Sequence, residues 1–104
     1  MSESTAAPVD PSSFQREDSP SRGRWRAVVD GHEAEMTYSR ASPTLIIIDH
    51  TAVPDGLRGR GVGQALVSRA VDDARKEGFR ILPLCPFAKS QFERHRDWAD
   101  VLHT

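Results

Sequence analysis

Apolar and polar residues alternate through two early segments, then give way to two unbroken apolar runs separated by a helical stripe. In residues 25–29, Trp25, Ala27 and Val29 interleave with Arg26 and Val28, and Asp30-Gly31 is a strong two-residue turn signal. The return segment, 32–39, sets Ala34, Met36 and Tyr38 on one face and Glu33, Glu35 and Thr37 on the other. A hairpin with one buried and one wet face is expected. Pro43 breaks the chain before Leu45, Ile46, Ile47 and Ile48, whose lack of alternation predicts a central strand over 44–53, covered on both faces. Over 61–77, the stripe Val62, Ala65, Leu66, Ala70 and Ala74, widened by Val67 and Val71, predicts a helix with Gly78 as its C-cap. Asp72 and Asp73 stand at helical pairing distance from Arg75 and Lys76. A second apolar run at 79–84 makes the order strand, helix, strand, hence a right-handed crossover between parallel strands. Pro83 has no N–H to give a ladder, so pairing between these strands should fail there and leave a gap. Pro86 suits the first turn of a last helix reaching about residue 94, which makes Cys85 its N-cap. Trp98 and Val101 read as core, Lys89 and Arg94 as solvated charges, and His95 and His103 as C-terminal surface. The fold class is α+β, α/β-like in its crossover: a mixed sheet with an N-terminal antiparallel hairpin, two parallel strands that splay, a crossover helix and a C-terminal helix.

Between the first apolar run and the helix stands Leu-Arg-Gly-Arg-Gly-Val-Gly-Gln, residues 57–64. Glycines at 59, 61 and 63 remove Cβ atoms that would hold a ligand off the backbone. The helix start offers unpaired N–H groups and the positive end of the helix dipole, with Arg58 and Arg60 beside it. Such a loop is suited to phosphate. Spacing excludes two familiar versions. A P-loop needs Lys and then Ser or Thr after the last glycine, where Gln64-Ala65 stands; the dinucleotide fingerprint lacks its third glycine and starts too far from the strand. The spacing that fits is Arg-x-x-Gly-x-Gly, on Arg58, Gly61 and Gly63. Asp49, His50 and Thr51 bring polar groups to the end of the preceding strand, where sites in such sheets form.

Composition narrows the classes further. The 104 residues carry a formal charge of −1, and from Trp25 onward there are eleven basic and eleven acidic residues. No basic field for nucleic acid is present. One cysteine excludes an internal disulfide, and with four scattered histidines it argues against structural zinc. There is no apolar h-region in the first residues and no apolar run near membrane-spanning length, so the expectation is a cytoplasmic protein that does not enter the membrane. Residues 1–23 are rich in Ser, Pro, Ala, Thr and mixed charges, with Val9 and Phe14 as the large apolar side chains. They read as a disordered tail ahead of a domain at 24–104. A cysteine at a helix N-terminus tends toward a reactive thiolate, whereas a lone cysteine is more often a small buried apolar residue.

Three segments together carry a resemblance: His50-Thr51-Ala52-Val53-Pro54, the loop 57–63, and Pro83-Leu84-Cys85-Pro86-Phe87 followed by Arg94-His95. In order and spacing they resemble the short, single-domain, Yjdj-type branch of the GNAT superfamily of N-acetyltransferases. The resemblance implies a compact GNAT fold and an acetyl-coenzyme A-dependent N-acetyltransferase acting on a primary amine, of a small molecule or a protein lysine. It implies that Arg58, Gly59, Arg60, Gly61, Val62, Gly63 and Gln64 cradle the coenzyme A pyrophosphate. Backbone groups near Val53 would bind the pantetheine arm in the gap between splayed strands and polarise the thioester. Cys85 would take part in transfer, and His50 is the remaining candidate to accept the amine's proton. The branch carries Glu where Ala52 stands and Tyr where Gln91 stands, and the wider superfamily often has Tyr in the place of Phe92. The usual acid and base are thinned out, so a non-catalytic acyl-coenzyme A-binding module read by a partner is the alternative.

Overall fold

A computed structural model describes residues 10–103. Five strands form one sheet in chain order: β1 (Gln15–Asp18), β2 (Arg22–Val29), β3 (His32–Ser42), β4 (Leu45–Ala52) and β5 (Arg80–Pro83). The first four pair antiparallel, and β4 and β5 run parallel. Helix α1 (Val62–Glu77) crosses between β4 and β5, α2 (Pro86–Arg94) follows β5, and a 3₁₀ segment (Arg96–Val101) leads to Leu102, which bridges to Ile81 of β5. This is the mixed α+β arrangement expected from the hydrophobic pattern.

The hairpin turn falls on Asp30 and Gly31, both at positive φ, as a two-residue turn between twisted strands requires. Trp25, Ala27, Ala34, Met36 and Tyr38 are buried on the inner face, with Ile46 and Ile48 continuing it on β4. Leu66, Val67, Ala70, Val71 and Ala74 of α1 cover that face, each large side chain contributing about 2 kcal/mol by leaving water. Gly78 at φ 80° ends α1, its N–H bonded to the Ala74 carbonyl.

Three expectations are corrected. β4 is covered on its inner face only: Ile46 and Ile48 are fully buried, whereas Leu45 and Ile47 are half-exposed. The outer face instead carries a lattice of ion pairs, Glu17–Arg24–Glu35 and Glu17–Arg26–Glu33. Asp73 does not pair down the helix with Arg75 or Lys76; it is buried and accepts from the Trp25 indole at 2.8 Å and from Arg69 at 3.0 Å. Arg75 reaches across to Asp100 at 2.9 Å.

The third concerns the tail. Residues 1–9 lie outside the described residues, but order begins well before residue 24. Phe14 is buried in the core and β1 pairs with β2. Its inward residue is Arg16, whose guanidinium lies over the rings of Trp25, Tyr38 and Phe79 at 5.2, 5.4 and 5.7 Å. It also donates to Tyr38 Oη at 3.1 Å. A polar segment is ordered here because a cation over aromatic faces replaces aliphatic burial.

Candidate active site

Beyond Ile48 the parallel strands part. Ile48 pairs with Pro83, the last residue of β5, while β4 continues through Ala52. The Ile48 carbonyl accepts both the Leu84 and Cys85 N–H groups, at 3.2 and 3.1 Å, so the missing proline donor is bridged by the next two residues. Past that point the edge of β4 facing β5 has lost its neighbour, as the absent proline N–H requires.

Pro86 then opens α2 and leaves Cys85 as its N-cap, with extended backbone at φ −63° and ψ 126°. The Cys85 side chain is 6% exposed, and its Sγ stands 3.5 Å from Thr51 Oγ1 across the opening. Burial pushes the thiol pKa up, but the Thr51 hydroxyl and the N–H groups of Ala88 and Phe87 favour the thiolate and hold it below its ordinary value. No backbone N–H caps the sulfur with full hydrogen-bond geometry. The effect is that of a helix start on a nearby sulfur.

Below the opening, the chain from Val53 enters a single 3₁₀ turn (Asp55–Leu57) pinned by the buried Leu57. Gly59 and Gly61 follow at φ 77° and 75°, and Gly61 is the N-cap of α1. These two glycines are needed for their left-handed backbone, which costs a side-chain-bearing residue about 1 kcal/mol or more. A Cβ on either would meet nothing within 4 Å, so their Cα atoms face open space. Gly63 serves differently. A Cβ there would stand 2.6 Å from Phe87 Cζ, so its hydrogen seats the Phe87 ring of α2 against α1. The first internal bond of α1 joins the Ala65 N–H to the Gly61 carbonyl, and no side chain caps the helix. The N–H groups of Val62, Gly63 and Gln64 are therefore those a helix start leaves for another partner.

A groove of about 390 Å³ runs from this turn to the opening, bounded by Thr51, Val53, Leu57, Arg58, the three glycines, Gln64, Phe87 and Gln91. Seven of the eight residues expected to hold a cofactor thus share one groove: Val53, Arg58, Gly59, Gly61, Val62, Gly63 and Gln64. Arg60 is not among its walls. It pairs with Asp30 of the hairpin turn and ties the loop to β2 and β3. Arg58 is largely exposed and paired with Asp55 at 3.0 Å, a surface pair that an anion can displace at little cost.

His50 departs from its expected company. A bulge at Thr37/Tyr38 sets Thr37 opposite His50 and Met36 opposite Thr51. Cross-strand partners share a face, so Thr51 turns inward to Cys85 and His50 turns to the outer face. His50 is exposed there, beside Asp49, which accepts from Ser39 Oγ at 2.7 Å. Thr51, Leu57, Phe87 and Gln91 are the groove residues not expected as ligand contacts; only the i, i+4 spacing of Phe87 and Gln91 signalled a common face.

Residues 24–101 match the family model described as GCN5-related N-acetyl-transferase. The chain belongs to that family. An acetyltransferase relative from Staphylococcus aureus, a GCN5-like candidate N-acetyltransferase solved by NMR, shares 31% identity over 86% of this chain and 87% of its own, with a TM-score of 0.64. The ribosomal-protein-alanine N-acetyltransferase of Brucella melitensis biovar Abortus 2308 matches at 16% identity and TM-score 0.59, over 83% of this chain and 64% of its own. That second likeness concerns the fold alone. In this GCN5-related chain no described helix is long and apolar enough to cross a membrane.

Proposed function

We propose that this GCN5-related protein is an acetyl-coenzyme A-dependent N-acetyltransferase whose acceptor is a primary amine. The observation that carries the reading is the groove from the glycine turn to Thr51, whose hydroxyl meets Cys85 Sγ at the opening between β4 and β5. Its residues fit the group. Open Cα positions at Gly59 and Gly61 and the free N–H groups of the first α1 turn suit a pyrophosphate, with Arg58 adding charge. The released edge of β4 suits an amide-bearing arm.

Bound there, acetyl-coenzyme A would supply an activated acetyl thioester. The chain's own part is to hold and to move protons. Free backbone groups of β4 orient the arm and polarise its carbonyl. The Cys85 thiol, hydrogen-bonded to Thr51 Oγ1, would pass a proton at Sγ. The exposed His50, on the outer face, would be the group that accepts the amine's proton through water. Beside it stands the Asp49 carboxylate, which accepts from Ser39 Oγ, whereas Glu17 is held by Arg24 and Arg26.

A non-catalytic acyl-coenzyme A-binding module is the second reading, favoured by Ala52, Gln91 and Phe92, none of which exchanges protons. Turnover separates the two. Incubation with acetyl-coenzyme A and a panel of amines, following free thiol, should show acceptor-dependent thiol release. Tight coenzyme A binding with no release above the blank for any amine would favour the module.

A further inference from the structure

One of three buried side-chain polar atoms without a partner among the described residues belongs to a groove residue that the transfer chemistry does not use. Gln91 is 6% exposed, and its Oε1 is buried without a hydrogen-bond partner among the described residues. Burying an amide oxygen unpaired costs on the order of 1–3 kcal/mol, so native structures rarely keep one without a use. Gln91 lies on the same α2 face as Phe87, four residues earlier, and both stand in the wall of the cofactor groove. The same groove is lined by Thr51, near the end of β4, and Val53, just past it. An extended ligand between these walls therefore has strand backbone on one side and the Gln91 carboxamide on the other.

A carboxamide carries an acceptor and two donors, which is the complement of a secondary amide. Rotation about its last torsion is soft, so Oε1 can swing to the groove without disturbing α2. We infer that Gln91 is a ligand-binding residue that hydrogen-bonds a secondary amide in the arm of the bound thioester, completing from α2 the grip that β4 exerts from the sheet. This rests on the coenzyme A reading and assigns one residue within it.

The test is calorimetric titration of the full chain and its Gln91→Leu variant with two probes: coenzyme A, which bears the amide arm, and ADP, which bears the pyrophosphate without it. Leucine matches the volume and removes the buried polar group, so the ligand-free variant should melt no lower than the parent. Losing one hydrogen bond should weaken coenzyme A binding about tenfold. ADP binding should be unchanged. Equal coenzyme A affinity in parent and variant would overturn the assignment while leaving the coenzyme A reading intact. Equal loss for both probes would overturn it too, since Gln91 would then act through the phosphate turn. Failure of the parent chain to bind coenzyme A would remove the reading and the assignment together.

Discussion

At the scale of single residues, the three glycines of the turn separate into two roles, and substitution distinguishes them. Gly61→Ala forces an L-residue into left-handed backbone and should lower stability by roughly 1–2 kcal/mol. Gly63→Ala meets no such penalty, being helical; its methyl displaces the tip of the half-exposed Phe87 ring into the groove. It should leave the melting curve nearly unmoved and weaken coenzyme A binding; thermal melts beside titrations check both. Cys85 gives a second prediction. Its thiol pKa is held below the ordinary value, so alkylation by iodoacetamide should reach its plateau rate at lower pH than a free cysteine does. Coenzyme A should slow it. Cys85→Ala should keep cofactor binding and lose most of the transfer rate. Alkylation as slow as in a buried structural thiol, with turnover intact in the Ala variant, would remove Cys85 from the chemistry. How far the site was legible is decided at this scale. The glycine turn and the Cys85 cap follow from local rules that need no tertiary information. The facing of His50 does not. Strict alternation from Ile48 puts His50 inward, and one extra β4 residue, Asp49, opposite the Thr37–Tyr38 step reverses it, a feature set by pairing with β3.

At the scale of elements, the informative case is β1. Its sequence, Gln-Arg-Glu-Asp, has no apolar alternation, and its order depends on Arg16 meeting three rings, from β2, β3 and Phe79 just before β5. A contact made only after those elements assemble leaves no mark on the local pattern, whereas the hairpin, crossover helix and capped α2 are each written in a few neighbouring residues. Deleting residues 1–20 removes Phe14 from the core and strips Asp73 and Tyr38 of their Arg16 contacts. We expect a fall in melting temperature of roughly 10 °C or more, since a buried Phe alone contributes about 2–3 kcal/mol. Phe14→Ala should reproduce a large part of it. A truncated chain that melts with the parent would show that β1 adds nothing to the domain.

At the scale of the whole molecule, charge is distributed as matched pairs, and stability should follow their protonation. Hydrogen bonds from Arg24, Arg26 and Arg75 hold Glu17, Glu33 and Asp100, respectively, below their ordinary pKa values. At Asp18 burial works the other way, but Tyr38 and Arg40 outweigh it. A depressed carboxylate stabilises the fold above its unfolded pKa and loses that contribution as pH falls through the folded one. Melting temperature should therefore be flat near neutrality and drop below about pH 4, where unfolded carboxylates begin to bind protons that folded ones refuse. High salt should blunt the lattice at the sheet's outer face. Saturating coenzyme A should raise the melting temperature at neutral pH, since it binds only the folded chain; an unmoved curve would contradict the cofactor reading.

The coincidence of strand order with chain order has a further consequence, for the sequence of events in folding. Antiparallel neighbours joined by short turns close small loops and form early, whereas β5 reaches β4 only after the whole of α1 has been traversed. Four register pairs then hold it. The groove lies along this last-closed seam, between an early meander and a late helix-strand-helix unit. Its walls come from both, and the part that carries Cys85 and Gln91 has the fewer strand register pairs. Amide exchange at β5 and α2 should accordingly outpace that at β2 and β3, and a ligand spanning the seam should slow the faster block most.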